Sequence, residues 1–226
     1  MHFLEQKAVA ILARCEEPFK KNKLNNLRDL LTNLKQSNFF IFLAANSDLP
    51  QEIISISDFY LQTKNWRDGA NRYGPSTHIK TEMILKIAQY HGFEKILLNE
   101  YDAPVNFDYS ALYDFLDNKM ESLKLDFIGS HWQPNAVATG IYFTKIKFLL
   151  ETVKFANFQS GFESFELHTE QNFGSYLFDK NIYLYPSPEA IYHEIDKSIF
   201  SSQKYQHGGQ LELDEETKTW KTKQDI

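Results

Sequence analysis

The chain lacks the residues that a disulfide framework, a membrane span or a secretion signal would need. Cys15 is the only cysteine among 226 residues, so no intrachain disulfide can form, and this scarcity fits a reducing compartment. No uninterrupted apolar stretch approaches the roughly 20 residues that a membrane-spanning helix requires. The apolar run at 8–13 is too short for the core of a signal peptide, and an acidic residue precedes it. We therefore expect a cytoplasmic protein without a membrane span.

Basic charge is scarce as well. The chain has 24 Lys and Arg against 30 Asp and Glu, a formal net charge of −6. A nucleic-acid surface needs basic residues to neutralise phosphates, so we expect no nucleic-acid partner. Hydrophobic residues make up 42% of the chain and aromatic residues 15%, which is enough for a globular core. The length suits one domain, assigned to residues 1–200, followed at 201–226 by a polar tail that we expect to be flexible.

Apolar segments typical of strands alternate with segments of helical periodicity. The predicted strands are 8–13, 38–45, 52–57, 95–98, 126–131, 139–145 and 181–186. The predicted helices are 24–34, a helix from a cap at Ser76 or Thr77 to Gly92, 110–123, 146–153 and 162–180. The second of these should bury Ile79, Met83, Ile84, Ile87 and Ala88. Residues 58–76 show no period and predict a long loop of functional or mobile character.

This alternation predicts an α/β fold with a mainly parallel mixed sheet flanked by helices on both faces. In such sheets ligands bind beyond the carboxyl ends of the strands. Glu100 and Asp102 follow the strand at 95–98, and the strands expected beside it end near Arg14 and Asp48. We therefore expect three polar clusters to meet at one edge of the sheet.

Glu100 and Asp102 form the most suggestive pair in the chain. Two carboxylates one residue apart at a strand end can both bind one divalent cation through oxygen ligands. Such a cation can neutralise the charge of a diphosphate when a bond to it breaks. An acid-x-acid triplet is also frequent by chance, so an ordinary solvated strand end is the alternative.

The order of the elements and three motifs resemble the nucleotide-sugar glycosyltransferases of the GT-A fold. In "LLNEYDAPV", Glu100 and Asp102 take the positions of the family's Asp-x-Asp metal motif, with Glu100 replacing the first aspartate. The segment "TEQNFGSYLFDKNIYLYP" is similar to the family's late helix-strand unit, and "TGIYFTKIKFLL" to the strand and helix beneath the acceptor site. The resemblance covers about residues 8–190 and implies a GT-A-like catalytic domain with a Rossmann-like nucleotide-binding half.

The resemblance implies a metal-dependent glycosyltransferase of the hexosyltransferase type. Its donor would be a nucleoside-diphosphate sugar, and its acceptor a hydroxyl of a glycan or another molecule. Glu100 and Asp102 would hold Mn²⁺ or Mg²⁺, with His207 from the tail as a third ligand. A histidine beside two glycines in a tail also occurs without any such role.

The resemblance also implies a catalytic base. Glu170 falls at the position of the base in the family's inverting enzymes. Glu163 and Glu166 lie on the same face of the predicted helix, so either could take that role instead.

Further residues are implied to bind the nucleoside of the donor: Arg14, Glu16 and Asp48. Arg14 and Glu16 would contact the base and ribose, and Asp48 would accept a hydrogen bond from one of them. The alternatives are a surface ion pair of Arg14 with Glu16 or Glu17, and a turn started by Asp48.

A last set is implied to bind the diphosphate, the sugar and the acceptor. Asn71, Arg72 and Lys80 could reach the diphosphate, although arginine and lysine are more often solvated charges. His131 and Trp132 could pack against donor sugar and acceptor, or belong to the core.

Two other functional classes fit the predicted fold. A sugar nucleotidyltransferase needs a glycine-rich loop after the first strand, and "ARCEEPFKKNK" contains no glycine, so this class ranks lower. A non-catalytic domain that binds a nucleotide or a partner would explain the degenerate metal motif.

Overall fold

The computed structural model describes residues 6–13, 21–45, 48–63, 74–101, 103–133, 136–153, 169–198, 211–214 and 219–222. Side chains at 21–22, 74–77, 132–133, 169–172, 211–214 and 219–222 lie outside this description. The strands are β1 (Lys7–Ala13), β2 (Phe39–Ala45), β3 (Phe59–Gln62), β4 (Lys95–Glu100), β5 (Phe127–Gln133), β6 (Ala136–Val137), β7 (Ile141–Lys145), β8 (Ile182–Tyr185), β9 (Leu211–Asp214) and β10 (Thr219–Thr222). The helices are α1 (Lys21–Gln36), α2 (Gln51–Ile54), α3 (Gly74–Tyr90), α4 (Tyr109–Ser122), α5 (Ile146–Thr152), α6 (Thr169–Leu177) and α7 (Pro188–His193).

Within the described residues, eight strands form one mixed sheet in the order β3-β2-β1-β4-β7-β5-β6, with β8 paired to β5. Strand β1 runs parallel to β2 and β4, β2 to β3, and β5 to β8. Strand β7 is antiparallel to both β4 and β5, and β6 is antiparallel to β5. The predicted α/β class with a mainly parallel mixed sheet is confirmed.

Helices cover both faces of the sheet, because both faces of its central strands are apolar. Val9 and Ile11 of β1 pack with α1, α4 and α7 on one face, which we call the α1 face. Ala10 and Leu12 pack with α3, α5 and α6 on the other, which we call the α3 face. Every residue of β2 is buried, as its unbroken apolar run predicts.

Helix α3 corresponds to the helix predicted from Ser76 or Thr77, but it begins earlier. It starts at Gly74, so neither of these residues is its cap. Its end is as predicted: Gly92 has φ 86°, and Phe93 N donates to Ala88 O at 3.1 Å. This left-handed glycine satisfies the last carbonyls of the helix.

The buried face of α3 also differs from the prediction. Met83, predicted to face inward, is 40% exposed, whereas Leu85 is buried. Two polar residues, His78 and Thr81, share the buried stripe with Leu85. A stripe that contains polar residues is not visible as an apolar period, which is why the prediction chose the wrong side for Met83.

The strand predicted at 52–57 is wrong. Residues 51–54 form the short helix α2, and strand β3 lies at 59–62, inside the segment predicted as a loop. The alternating isoleucines suggested a strand, but Ile53 and Ile56 are three apart and both pack on the α1 face, as in a helical turn. Pro50 O accepts hydrogen bonds from Ile53 N and Ile54 N, which starts the turn.

Some elements were not predicted at all. Strand β6 has two residues, and α7 follows β8 after a cap at Ser187, whose side chain accepts from Ala190 N. In the region assigned to a flexible tail, β9 and β10 pair antiparallel, Leu213 opposite Trp220. None of the helices in the described segments is long and apolar enough to cross a membrane.

Candidate functional site

The connections of the sheet create a crevice between β1 and β4. From β1 the chain passes through α1 to β2 and then β3, and α3 returns it to β4 on the other side of β1. Helices α1 and α3 cover opposite faces. Ligands in open α/β sheets bind at such a reversal of strand order, beyond the carboxyl ends of the strands.

The neighbours of β4 differ in part from the prediction. Strand β1 is adjacent, as expected, but β2 lies on the far side of β1, and β7 is the second neighbour. An insertion of an antiparallel strand is not visible in an alternating pattern, because β7 is as apolar as the parallel strands. Asp48, after β2, is therefore two strands away from Glu100.

Glu100 is the last residue of β4 and borders the crevice. It pairs with Leu12 of β1, and its backbone N donates to Gly140 O at 2.9 Å. Its own carbonyl accepts from Ala103 N at 3.2 Å. The side chain is only 5% exposed. Both backbone groups are fixed, so the carboxylate is held at the predicted end of the strand on the α3 face.

Tyr142 lies beside Glu100 on the same face. It pairs with Leu98, two residues before Glu100, in the antiparallel β4–β7 ladder. Burial is the largest effect on its hydroxyl and raises the pKa; the neighbouring Thr81 hydroxyl lowers the pKa, and the charge of Glu100 raises it. Among the described residues, none offers the Tyr142 hydroxyl a hydrogen bond of ordinary geometry. A buried hydroxyl in this state is unusual in a folded protein.

The first half of α3 supplies further buried polar groups to this edge. His78 and Thr81 are fully buried, and Lys80 is 1% exposed. Lys80 is therefore not the solvated charge that was its alternative assignment. The His78 ring lies 5.4 Å from that of Phe173 in α6, which is in turn 5.8 Å from Tyr142.

The α1 face of the edge carries a second buried polar contact. Asn99, next to Glu100, accepts a hydrogen bond from the Tyr192 hydroxyl of α7 at 2.7 Å. The Asn99 side-chain nitrogen and the Ser130 hydroxyl of β5 have no hydrogen-bond partner within the described part of the chain. The Tyr192 ring packs against Phe107 at 5.2 Å.

Sequence reasoning missed Tyr142, Thr81, Asn99 and Tyr192. Each lies within an apolar segment and was counted as core or helix surface. The detectable signal was small: Asn99 is a polar residue inside the run "KILLNE", immediately before the acid that was singled out.

Two of the other predicted site residues lie at the same edge. Asp48 is exposed and accepts a hydrogen bond from Gln62 Nε2 at the end of β3. His131 of β5 is half-buried, with its ring stacked on that of Phe178 at 6.1 Å. Trp132 follows it in β5, but its side chain lies outside the described residues.

The remaining predicted residues are not brought together by the described structure. Glu170 is the second residue of α6, and its side chain lies outside the description. Also outside the described residues are Arg14, Glu16, Asn71, Arg72, Asp102, Glu163, Glu166 and His207.

The donor set of the described residues does not by itself fit a divalent metal. No group of three or more His, Cys, Asp or Glu side chains in these segments is arranged to hold an ion. At the end of β4 they supply the carboxylate of Glu100, a hard oxygen ligand suited to Mg²⁺ or Mn²⁺. A complete site would need Asp102 or His207.

No protein-family model and no curated protein sequence matches the chain. Three solved structures are similar in fold. A cytidylyltransferase from Leptospira borgpetersenii serovar Hardjo-bovis has a TM-score of 0.50 at 14% identity over 80% of this chain and 76% of the other. A protein from Desulfovibrio desulfuricans G20, assigned as a nucleotide-diphospho-sugar transferase, has 0.49 at 10% over 80% of each. A glycosyltransferase involved in the glycosylation of the major capsid of PBCV-1 has 0.47 at 12% over 79% and 81%. The chain has a GT-A-like α/β fold.

Proposed function

We propose that the chain is a nucleotide-sugar transferase, a glycosyltransferase that moves a sugar from a nucleoside-diphosphate donor to an acceptor hydroxyl. One observation carries the proposal: the buried carboxylate of Glu100 lies beside the buried hydroxyl of Tyr142 at the crevice where the strand order reverses. That is where α/β sheets bind nucleotides. The GT-A-like fold and the order of motifs support the choice of donor.

The nucleotide would lie across the crevice. In this proposal Arg14, Glu16 and Asp48 contact the base and ribose, beyond the carboxyl ends of β1 and β2. Arg72 and Lys80 provide positive charge for the diphosphate. A charge as deeply buried as that of Lys80 acts through a medium of low dielectric constant, so its effect on a nearby phosphate exceeds that of a surface lysine.

A divalent cation belongs to the proposal. Glu100 and Asp102, with His207 as a third ligand, would hold Mn²⁺ or Mg²⁺. When bound, the cation would neutralise negative charge on the departing nucleoside diphosphate.

Glu170 would accept the proton of the acceptor hydroxyl as the new glycosidic bond forms. Phe173, three residues further along α6, has its ring 5.8 Å from that of Tyr142, which supports the assignment of this helix to the same site. Glu163 and Glu166 are the alternatives. Glu170→Gln should keep donor affinity and lose turnover; an active variant would transfer the role of base to one of the other two.

A binding experiment tests the nucleotide assignment first. UDP, GDP, UDP-glucose and GDP-mannose are titrated by calorimetry with MnCl₂ present, and the titrations are repeated with EDTA. We expect one base to bind, and binding to weaken with EDTA. Failure of every nucleotide to bind would overturn the proposal in favour of a partner-binding domain.

A product assay separates the two transferase classes that share this fold. Release of nucleoside diphosphate from a nucleotide sugar, by slow transfer to water, indicates a glycosyltransferase. Release of pyrophosphate from a nucleoside triphosphate and a sugar 1-phosphate indicates a nucleotidyltransferase. The absence of glycine in the segment after β1 favours the first outcome. Asp102→Asn should abolish the metal-dependent part of donor binding, and full activity in this variant would remove the metal assignment.

A further inference from the structure

Gly140 lies directly across from Glu100 and leaves space beside it. The β4–β7 register pairs Asn99 with Ile141, so the next pair is Glu100 with Gly140, and the two are joined by the Glu100 N–Gly140 O hydrogen bond. A Cβ built on Gly140 meets no atom of the described residues within 4 Å. Its φ is not in the left-handed region, so the backbone does not require glycine here.

The side chains around this space are polar and buried. By strand alternation, positions 98, 100, 140 and 142 share the α3 face, so Glu100 and Tyr142 flank position 140. The Tyr142 hydroxyl is buried without a hydrogen bond to any described residue, and Thr81 lies beside it. A buried polar atom of this kind indicates a hydrogen-bonding group that comes from outside the protein.

The chemistry of the lining selects the part of the donor that fits. Tyr142 and Thr81 are neutral hydroxyls that both donate and accept hydrogen bonds, and the Glu100 carboxylate accepts them. A phosphate would be repelled by this carboxylate at short range, whereas sugar hydroxyls are satisfied by all three groups.

We propose that the space over Gly140, lined by Glu100, Tyr142 and Thr81, receives the hydroxyl groups of the donor's sugar, and that glycine at position 140 sets the size of the sugar accepted. This inference rests on the proposed function and adds to it the subsite that separates the nucleotide sugar from the bare nucleotide.

The test compares two ligands on one set of variants. Calorimetry measures the affinity of UDP-glucose and UDP, or of GDP-mannose and GDP if guanosine is preferred, for wild type, Gly140→Ala and Gly140→Val. We expect valine to weaken nucleotide-sugar binding by about tenfold or more, with alanine intermediate, because one or two extra methyl groups fill the space. Binding of the bare nucleotide should stay within about twofold.

Tyr142→Phe gives an independent readout. Removal of a buried hydroxyl that has no partner should leave the melting temperature unchanged or higher. Affinity for the nucleotide sugar should nevertheless fall by about two- to tenfold, with little change for the bare nucleotide. A residue with a merely structural role would not separate stability from sugar affinity in this way.

Gly92→Ala is the matched control. Gly92 also has open space around its Cβ position, but it lies at the end of α3 and has a positive φ. This variant should lower the melting temperature and leave both affinities unchanged. Equal weakening of sugar and nucleotide by Gly140→Val, or no weakening of either, would overturn the sugar subsite alone. A wild type that binds no nucleotide would overturn the proposed function with it.

Discussion

The two edges of the sheet are built in opposite ways. At the amino edge, lysines near strand ends are partly exposed and paired: Lys7 with Asp114 at 2.7 Å, Lys95 with Asp117 and Glu121 at 2.5 and 2.6 Å, and Lys145 with Asp126 at 2.9 Å. At the carboxyl edge, Glu100, Asn99, Ser130 and Tyr142 are buried, and several of their polar atoms have no hydrogen bond to a described residue.

This difference separates groups that suit stability from groups that suit binding. Exposed ion pairs at strand starts satisfy every charge locally and ask nothing of a ligand. Buried polar atoms without partners raise the energy of the free protein and lower that of a complex that satisfies them. The carboxyl edge is therefore the part of the fold whose polar groups a ligand can complete.

The largest expected effect comes from the carboxyl edge. Glu100→Gln keeps the size of the side chain and the backbone hydrogen bonds to Gly140 and Ala103, but it removes the charge. We expect donor turnover to fall by about 10²–10³-fold, the usual loss when one electrostatic group is removed from an active site. The measurement is release of nucleoside diphosphate, with a thermal melt to verify folding.

Glu94→Gln is the control for that variant. Glu94 is exposed, immediately before the first residue of β4 at the amino edge, so its neutralisation should leave turnover unchanged. Equal activity of Glu100→Gln and wild type would contradict the functional contrast between the two edges.

Gly129→Ala should give the largest loss of stability. Its Cβ would lie 2.5 Å from Cε1 and 3.0 Å from Cζ of Phe127, a fully buried ring stacked on Tyr142 at 5.3 Å. Because that ring has no room to move, the free energy of unfolding should fall by about 1–3 kcal/mol, and the melting temperature by roughly 2–10 °C. Gly140→Ala is the comparison variant and should not lower the melting temperature.

Tyr192→Phe sharpens the distinction within the carboxyl edge itself. The variant removes the hydrogen bond to Asn99 and leaves a buried carbonyl oxygen without it, so unfolding should cost about 1–3 kcal/mol less. Urea denaturation measures this change. Tyr183→Phe, in a partly exposed ring, should change stability by less than about 0.5 kcal/mol. Equal effects of the two variants would show that the Asn99 contact contributes no stability.

The smallest effect is a pH dependence from the amino edge. Burial is the largest effect on Lys95 and lowers its pKa, but hydrogen bonds and charges of Asp117 and Glu121 raise the pKa to a net value above 10.5. The hydrogen bond from Lys95, its charge second, lowers the pKa of Glu121 below 4.5. The raised pKa stabilises the fold below pH 10.5 and is lost as pH rises through it. The lowered pKa stabilises above pH 4.5 and is lost as pH falls through it.

Lys95→Met should therefore flatten both ends of the stability profile. Urea denaturation from pH 3 to pH 11.5 should show a smaller decline in the variant than in wild type at each end. Lys86→Met, which removes the surface pair with Glu82, is the control. A profile of Lys95→Met that coincides with that of wild type after a constant offset would contradict the linkage.

The sequence was sufficient for the parts of the fold that composition alone determines. Strands β1, β2 and β4 are apolar on both faces, and such runs have few other places in a folded protein. The position of Glu100 at a strand end followed directly from the polar residues after "KILL". The strand predicted at 52–57 was wrong because two isoleucines three apart fit a helical turn as well as a strand.

The polar site could not be predicted because it depends on pairing. Tyr142 becomes a neighbour of Glu100 only through the antiparallel β4–β7 register, and nothing in the local sequence of β7 specifies its direction. Asn99 meets Tyr192 across 93 positions of the chain. His78 and Thr81 obscured the buried stripe of α3 because polar residues do not contribute to an apolar period.

The central position of β1 has a consequence for how the protein folds. Val9 pairs with Ile41 on one side but with Leu97 on the other, and β4 in turn needs β7. During synthesis the earliest of these strands must therefore wait, with one edge open, until the last has left the ribosome. Contacts of such long range form slowly, so a chaperone-free refolding experiment should recover helical signal well before it recovers nucleotide binding.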